Sequence, residues 1–250
     1  MKRTALFLDF DGTLAPIHSH PDDVWLSPER ENLLIDLSSK IPTIVLSGRS
    51  LPDLRKRLPV QALAGISGDH GASRFFRGRM HVPTGAQSVR PVVRRLGEAL
   101  KETFLSWGGV YVEEKEYSVS VHFRNLDPDH TDAFRKILLG IVLPDIDRCS
   151  LIESKGKCVW EYRPPGLNKE DAFTWYLEEM NRGSESKDGF RPVMIGDDTT
   201  DWETVKRSVR MGGEGYWVGE SLPEFDASIT GLLRSPDDVW AYLEGLYLSV

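Results

Sequence analysis

The sequence predicts an α/β fold, a parallel sheet flanked by helices and interrupted by an inserted α+β domain. Three observations lead there. Short apolar runs near both ends of the chain stop at polar residues: ALFLD over residues 5–9, TIVL over 43–46 before Ser47, and PVMI over 192–195 before Gly196-Asp197-Asp198. Buried parallel strands read this way. Segments with helical spacing separate them. The middle of the chain instead reads helix–strand–strand–helix–strand, the order of a small α+β unit.

Each element has a local reason. Gly12 closes a tight turn after the first run. Ser27-Pro28 opens a helix, with Ser as N-cap and Pro at the first helical position, and Leu33, Leu34 and Leu37 give it an apolar stripe. A further helix is expected from Pro52. Val93, Leu96, Leu100 and Phe104 mark the first helix of the middle segment. Two strands are then expected over 110–116 and 117–124. The second alternates, with Tyr117, Val119, Val121 and Phe123 on one face and Ser118, Ser120, His122 and Arg124 on the other. A helix over 131–143 and a strand over 158–163 complete the segment. A helix begins near Lys169 and runs through Ala172, Phe173, Tyr176 and Leu177. Trp240, Tyr242, Leu243, Leu246 and Tyr247 have the spacing of a final helix packed on the core. The expected organisation is an outer domain over 1–85 and 166–250, with an inserted domain over 86–165.

A chain of 250 residues with 40% hydrophobic and 28% charged residues holds a packed core and is not disordered. Its net charge of −7 argues against a nucleic-acid partner, which calls for a basic patch. No run of about 18 apolar residues is present, so no membrane span is expected. The apolar run after Met1-Lys2-Arg3-Thr4 reaches Asp9 too soon for a signal peptide, and the expected location is cytoplasmic. Cys149 and Cys158 are too few for a disulfide framework or a thiolate zinc site, and a structural role is expected for both. His18, His20 and Asp22 read as a proline-bearing loop rather than a metal site. No feature specifies an oligomeric state. Within 86–165 the acidic and basic residues are equal in number, so the net charge lies in the outer domain.

The strand ends carry the chemistry. In open α/β sheets ligands bind at the carboxyl ends of the strands. Asp9 and Asp11, two apart where a strand becomes a turn, can converge so that one attacks phosphorus and the other handles the proton of the leaving oxygen. Asp197, Asp198 and Asp201 add hard oxygen ligands suited to Mg²⁺, although capping by Thr200 or Asp201 would account for part of that cluster. Ser47-Gly48-Arg49-Ser50 offers a hydroxyl and backbone N–H groups where a helix begins, a place for phosphate. Lys169 sits in a first helical turn, where the dipole disfavours a cation; a surface lysine is the default reading there, and a functional duty would explain the misplaced charge.

Asp9-x-Asp11-Gly12-Thr13, Ser47, Lys169 and Gly196-Asp197-Asp198-x-x-Asp201, in this order, resemble the motifs of the haloacid dehalogenase superfamily of phosphohydrolases. That resemblance implies a Rossmann-like parallel-sheet hydrolase core with an inserted α+β cap domain. More closely, Gly68-Asp69-His70-Gly71, Val112-Glu113-Glu114-Lys115, His122-Phe123-Arg124 and Trp160-Glu161-Tyr162-Arg163-Pro164 before Asn168-Lys169 resemble trehalose-6-phosphate phosphatases. Glu170, Trp202 and Phe123 depart from that family's usual Gly, acidic residue and Tyr. Glu113 with Lys115, and His122 with Arg124, share strand faces by their spacing, and Glu161 alternates against Trp160 and Tyr162. In an isolated domain this would be an ordinary solvated sheet face; beside a phosphatase core, a face carrying acids and bases suits a sugar phosphate.

The resemblance implies a Mg²⁺-dependent phosphatase that hydrolyses trehalose 6-phosphate through an aspartyl phosphate. It makes Asp9 the nucleophile and Asp11 the general acid and base. Asp9, the Asp11 carbonyl and Asp197 would hold Mg²⁺, with Asp198 and Asp201 holding metal-bound waters or orienting Lys169. Ser47 and Lys169 would bind phosphate oxygens. The cap would close over the sugar, read by Glu113, Lys115, Arg124 and Glu161, with Arg49 and His70 contributing from the core. The alternatives are a phosphatase for another ester, such as sucrose phosphate or a glycosylglycerate phosphate, a phosphomutase, and a catalytically silent binding domain. Intact Asp9, Asp11, Lys169 and Asp197 speak against the last.

Overall fold

The computed structural model describes residues 3–18, 20–148, 150–156, 158–183, 189–223 and 228–249. Cys149 and the first two residues lie outside them. The chain divides into two compact units, residues 1–81 with 168–250, and residues 82–167.

The first unit opens with β1 (Arg3–Leu8), α1 (Pro28–Lys40), β2 (Thr43–Leu46), α2 (Leu51–Arg57), β3 (Gly65–Gly68), β4 (Ser73–Phe76) and β5 (Arg79–His81). The second unit contains α3 (Thr84–Phe104), β6 (Tyr111–Glu114), β7 (Val119–His122), α4 (Thr131–Asp147), β8 (Ile152–Gly156) and β9 (Val159–Arg163). The chain returns to the first unit with α5 (Lys169–Arg182), β10 (Phe190–Gly196), α6 (Thr199–Arg210), β11 (Glu214–Val218), β12 (Gly231–Leu233) and α7 (Pro236–Ser249).

One eight-stranded sheet runs through the first unit in the order β12-β11-β10-β1-β2-β3-β4-β5. Pairing is parallel from β12 to β3 and antiparallel from β3 to β5. β1 lies between β10 and β2, with Leu8 opposite Ile195 on one side and Val45 on the other. Asp9, Ser47 and Asp197 therefore leave the sheet side by side, at the carboxyl ends of β1, β2 and β10.

Successive residues of β1 serve opposite layers. Leu6 and Leu8 pack with Leu34 and Leu37 of α1, Leu54 of α2, and Trp240 and Leu243 of α7. Ala5 and Phe7 pack with Phe173, Tyr176 and Leu177 of α5. A strand covered on both faces has no polar side, which is why its sequence reads as one apolar run. Ser27 caps α1 through Arg30 N with Pro28 at the first position, as expected. α2 starts one residue before the expected Pro52, because Ser50 supplies the N-cap.

In the second unit a four-stranded antiparallel sheet, β6-β7-β9-β8, packs one face on α3 and α4. Val93, Leu96, Leu100 and Phe104 are buried against Val119, Val121, Trp160 and Tyr162. The unit begins before residue 86 because α3 is continuous from Thr84. β7 is shorter than the alternation over 117–124 suggests. It ends at His122: Phe123 packs beside Trp160 as the alternation places it, and Arg124 falls in an exposed turn. β8 and the β4–β5 hairpin were not expected. Among the described residues no helix is long and apolar enough to cross a membrane.

Candidate active site

Asp9 follows β1 directly. Its N–H donates to Ile195 O at 3.0 Å, which extends the ladder one residue past the strand, and its side chain is buried. Gly12 then turns the chain at φ 82°. A Cβ there would lie 2.1 Å from Asp197 Oδ2, so only glycine lets this turn pass the second carboxylate. Thr13 Oγ1 donates to Asp197 Oδ1 at 3.3 Å.

Lys169 explains its own misplaced charge. Asn168 caps α5 through Asp171 N, and the next residue sends its ammonium inward. Nζ donates to Asp9 Oδ1 at 2.6 Å and to Asp201 Oδ1 at 2.8 Å, and all three side chains are buried. Asp9, Asp197 and Asp201 each present an oxygen within 4.8 Å of the others. Two carboxylates thus share one ammonium, with the third, Asp197, close by. Burial drives the Asp9 carboxyl upward and the negative charges of Asp201 and Asp11 add to this, while Lys169 opposes it. Burial raises Asp201 against the same lysine. Burial and the charge of Asp9 push Asp197 up to about 8. Burial lowers the affinity of Lys169 for its proton, but Asp201 and Asp9 outweigh this and hold the ammonium charged. Hard oxygen donors with unbalanced charge are what a divalent cation such as Mg²⁺ fits.

The Asp198 side chain serves the following helix. It caps α6, accepting from Thr199 N at 2.8 Å and from Thr200 Oγ1 at 3.1 Å, and Asp201 completes the capping box. The cap of α6 is therefore Asp198 rather than Thr200 or Asp201. Of the two acids expected to orient Lys169, Asp201 touches it. Trp202, which departs from the usual acid, packs edge-on against Trp217 with centroids 5.3 Å apart and carries the Lys206 ammonium over its ring.

Ser47 is buried at the end of β2 and its Oγ accepts from Arg49 N at 3.1 Å. The turn after β3 is stitched to this loop by Asp69 N to Arg49 O at 2.8 Å and His70 N to Ser47 O at 3.1 Å. Asp69 and His70 both stand at φ 51°, a left-handed pair that non-glycine residues adopt only when their surroundings hold them. The His70 ring lies against Gly48, where a Cβ would meet it at 2.5 Å. Arg49 extends to Asp11 and Asp53.

The second unit gathers its polar groups on the sheet face opposite its helices. Glu113, Ser120, Glu161 and Ser154 form one row across the four strands. Lys115 Nζ meets Glu161 Oε1 at 3.1 Å, and Ser118 Oγ donates to the same oxygen at 2.8 Å. His122 Nε2 lies 3.1 Å from Glu113 Oε2. Burial works to raise Glu113, yet the His122 hydrogen bond and the nearby Lys115 and His122 charges prevail and hold it below the ordinary carboxylate range. Glu113, Lys115 and Glu161 thus share this face, whereas Arg124 does not join it. Ser118, Ser120 and Asp53 complete these networks. Ser118 and Ser120 were visible as the polar side of an alternating strand, and Asp53 as an acid four residues from both Arg49 and Arg57.

Comparison with solved structures identifies the fold as that of haloacid dehalogenase-like hydrolases. One of that description from Bacteroides thetaiotaomicron superposes with a TM-score of 0.64 at 16% identity, covering 98% of this chain and all of the other. A trehalose-6-phosphate phosphatase related protein superposes with a TM-score of 0.82 at 22% identity, covering 98% of both chains. The family profile for trehalose-phosphatase matches residues 7–215. Arabidopsis thaliana trehalose-phosphate phosphatase B is 29% identical over 98% of this chain and 66% of its own length. The probable trehalose-phosphate phosphatase 3 of Oryza sativa subsp. japonica is 31% identical over 98% of this chain and 69% of its own. The chain belongs to the trehalose-phosphatase family, and it spans about two thirds of the length of these plant relatives.

Proposed function

We propose that this protein is a Mg²⁺-dependent phosphatase that hydrolyses trehalose 6-phosphate to trehalose and inorganic phosphate. The observation that carries the reading is Asp9, buried at the end of β1 and held by Lys169, in a chain of the trehalose-phosphatase family.

Asp9 attacks phosphorus in line. The bond from phosphorus to the sugar oxygen breaks, and Asp11 gives that oxygen its proton, leaving an aspartyl phosphate and free sugar. Asp11, now ionised, takes a proton from water as the water oxygen attacks phosphorus and the bond to Asp9 breaks. Phosphate leaves and Asp11 is again protonated. Lys169 holds Asp9 in place and, with Ser47, binds phosphate oxygens as charge shifts. Mg²⁺ would be held by Asp9, Asp197 and the Asp11 carbonyl, near Asp201, supplying the positive charge that lets a carboxylate approach an anionic phosphate. Asp198 orders the start of α6 and thereby the position of Asp201. In the second unit Glu113, Lys115 and Glu161 supply acceptors and donors for sugar hydroxyls, and Arg124 an exposed guanidinium. His70 is a positioning group for the Ser47 loop. The inserted unit, residues 82–167, serves as the cap.

The test is phosphate release, with Mg²⁺, from trehalose 6-phosphate, sucrose 6-phosphate and glucose 6-phosphate. Preference for the trehalose ester is the expected result. Preference for another ester would overturn the substrate and keep the chemistry. Transfer of phosphate to a sugar, with little released, would mean a mutase.

A further inference from the structure

The sequence suggests that Arg49 contacts substrate. The structure gives it other partners. Its Nε donates to Asp11 Oδ2 at 2.7 Å and its Nη2 to Asp11 Oδ1 at 2.6 Å, a two-point fork on one carboxylate. Its Nη1 donates to Asp53 Oδ2 at 2.8 Å. Three of the five guanidinium N–H donors are thereby committed to acids. Asp53 is held in turn by Arg57, with Nη2 at 2.9 Å from Oδ1, and Arg57 donates to Val24 O at 2.6 Å. The row Asp11–Arg49–Asp53–Arg57 alternates in sign and runs from the loop after β1 along α2. Its anchor is firm: the Arg57 side chain is 3% exposed and that of Arg49 11%, whereas Asp11 is 35% exposed. The Arg49 backbone is pinned as well, its N–H donating to Ser47 Oγ and its C=O accepting from Asp69 N.

We infer that Arg49 is a positioning residue for Asp11, holding by a two-point fork, itself anchored on Asp53, the carboxyl that protonates the leaving oxygen and then activates water. This rests on the phosphatase reading above. A guanidinium suits the task because its planar fork fixes both the place and the plane of a carboxylate, which a lysine ammonium does not. The Asp11 backbone bridges to Ala15, but its side chain is partly exposed and the hydrogen bonds that hold it come from Arg49. With the fork removed, its carboxyl rotates freely and is seldom aligned with either oxygen.

Two esters separate this role from its rivals. Trehalose 6-phosphate expels an alkoxide and needs the proton of Asp11 in the first step. p-Nitrophenyl phosphate expels a stable phenolate and does not, but its second step still needs Asp11 to activate water. In the Mg²⁺-loaded full chain, Arg49→Gln should lower kcat on trehalose 6-phosphate by about 10²-fold, the scale of general acid–base catalysis, with little change in KM. With p-nitrophenyl phosphate the same variant should release one phenolate per active site in a burst and then turn over slowly. Arg49→Lys should remain impaired. Asp53→Asn, which keeps Arg49 and removes its anchor, should show the same pattern to a smaller degree, and it decides the matter should Arg49→Gln not fold.

A raised KM with unchanged kcat would make Arg49 a substrate contact and overturn the inference. So would equal losses on both esters without a burst, which a merely structural role produces. Either result, in a wild-type enzyme that releases phosphate, leaves the phosphatase reading standing. A wild-type enzyme silent on both esters overturns that reading, and this inference with it.

Discussion

Lys169 is the only cationic partner of Asp9 and Asp201 among the described residues, at 2.6 and 2.8 Å. Replacing it by Met keeps most of the side-chain volume and removes the charge. Breaking a buried ion pair by deleting one partner costs about 3–5 kcal/mol, because the remaining charge stays buried without compensation. Two carboxylates lose their partner here, and a third, Asp197, lies close by. For a chain of this size ~2–4 °C is lost per kcal/mol, so Lys169→Met should melt roughly 6–20 °C below the wild type. The comparison belongs in metal-free buffer at pH 8, by thermal and urea denaturation. The sign of the pH dependence follows from the carboxylates. Asp9 and Asp201 are raised, so without the ammonium they take up protons as pH falls and no longer need a cation. The deficit should therefore shrink between pH 8 and pH 5. A variant as stable as the wild type at pH 8 would refute the claim that this lysine balances the buried acids.

Other consequences follow from the same geometry. Asp9→Asn should abolish turnover while leaving the melting temperature equal to or above that of the metal-free wild type, since burial opposes the Asp9 charge; thermal scans and phosphate release check both. Added Mg²⁺ should raise the melting temperature of the wild type and not of Asp197→Asn. Its binding should tighten from pH 6 to pH 8, because Asp197, at about 8, gives up its proton to admit the ion; calorimetry in two buffers measures that proton. Glu113→Ala should lower kcat/KM on trehalose 6-phosphate by ~10–100-fold, the worth of a charged hydrogen bond, and leave p-nitrophenyl phosphate nearly unchanged; steady-state kinetics with the two esters give that ratio. Tyr176 Oη donates to Ile66 O at 2.7 Å, and burial holds its pKa above the usual value. The folded state thus keeps a proton that the unfolded chain releases near pH ~10, so stability falls as pH rises beyond that point. In Tyr176→Phe that alkaline loss should be shallower, as urea midpoints at pH 9 and pH 11 would reveal.

What a sequence discloses depends on how local its cause is. β1, β2 and β10 were legible because strands buried on both faces admit only apolar residues and then stop where the chemistry starts. Ser27-Pro28 marked α1 by capping geometry alone. The polar face of the second sheet was visible through alternation at Ser118 and Ser120, but its extent was not. Phe123 keeps the place beside Trp160 that the alternation gives it, and its N–H still donates to Cys158 O, but the chain turns at Arg124 and leaves that residue outside the face. β8 carries Glu153, Ser154 and Lys155 on a sheet edge, a composition that turns share. In the hairpin, Arg77 and Gly78 at φ 49° and 78° form a turn whose flanking strands are too short to show a period.

The site divides the same way. Asp9, Asp11 and Asp197 were readable as carboxylates at strand ends, and Lys169 as a charge at odds with its helix terminus. Who pairs with whom was not readable, because those partners are distant in sequence. Asp201 reaches Lys169 across 32 residues, and Arg49 reaches Asp11 across 38. Each choice is made by the relative placement of β1, β2 and β10, not by either segment alone. Asp53 is the partial exception: its spacing to Arg49 and Arg57 is that of neighbours on a helix.

In the proposed reaction Asp9 takes the phosphoryl group from trehalose 6-phosphate. The direct measurement is acid quenching during turnover with that ester and Mg²⁺, followed by mass spectrometry of the peptide that contains Asp9. One added phosphoryl group is expected on Asp9, lost on return to neutral buffer and absent from Asp9→Asn. Turnover with Asp9 unmodified, or with the phosphoryl group on another side chain, would contradict it.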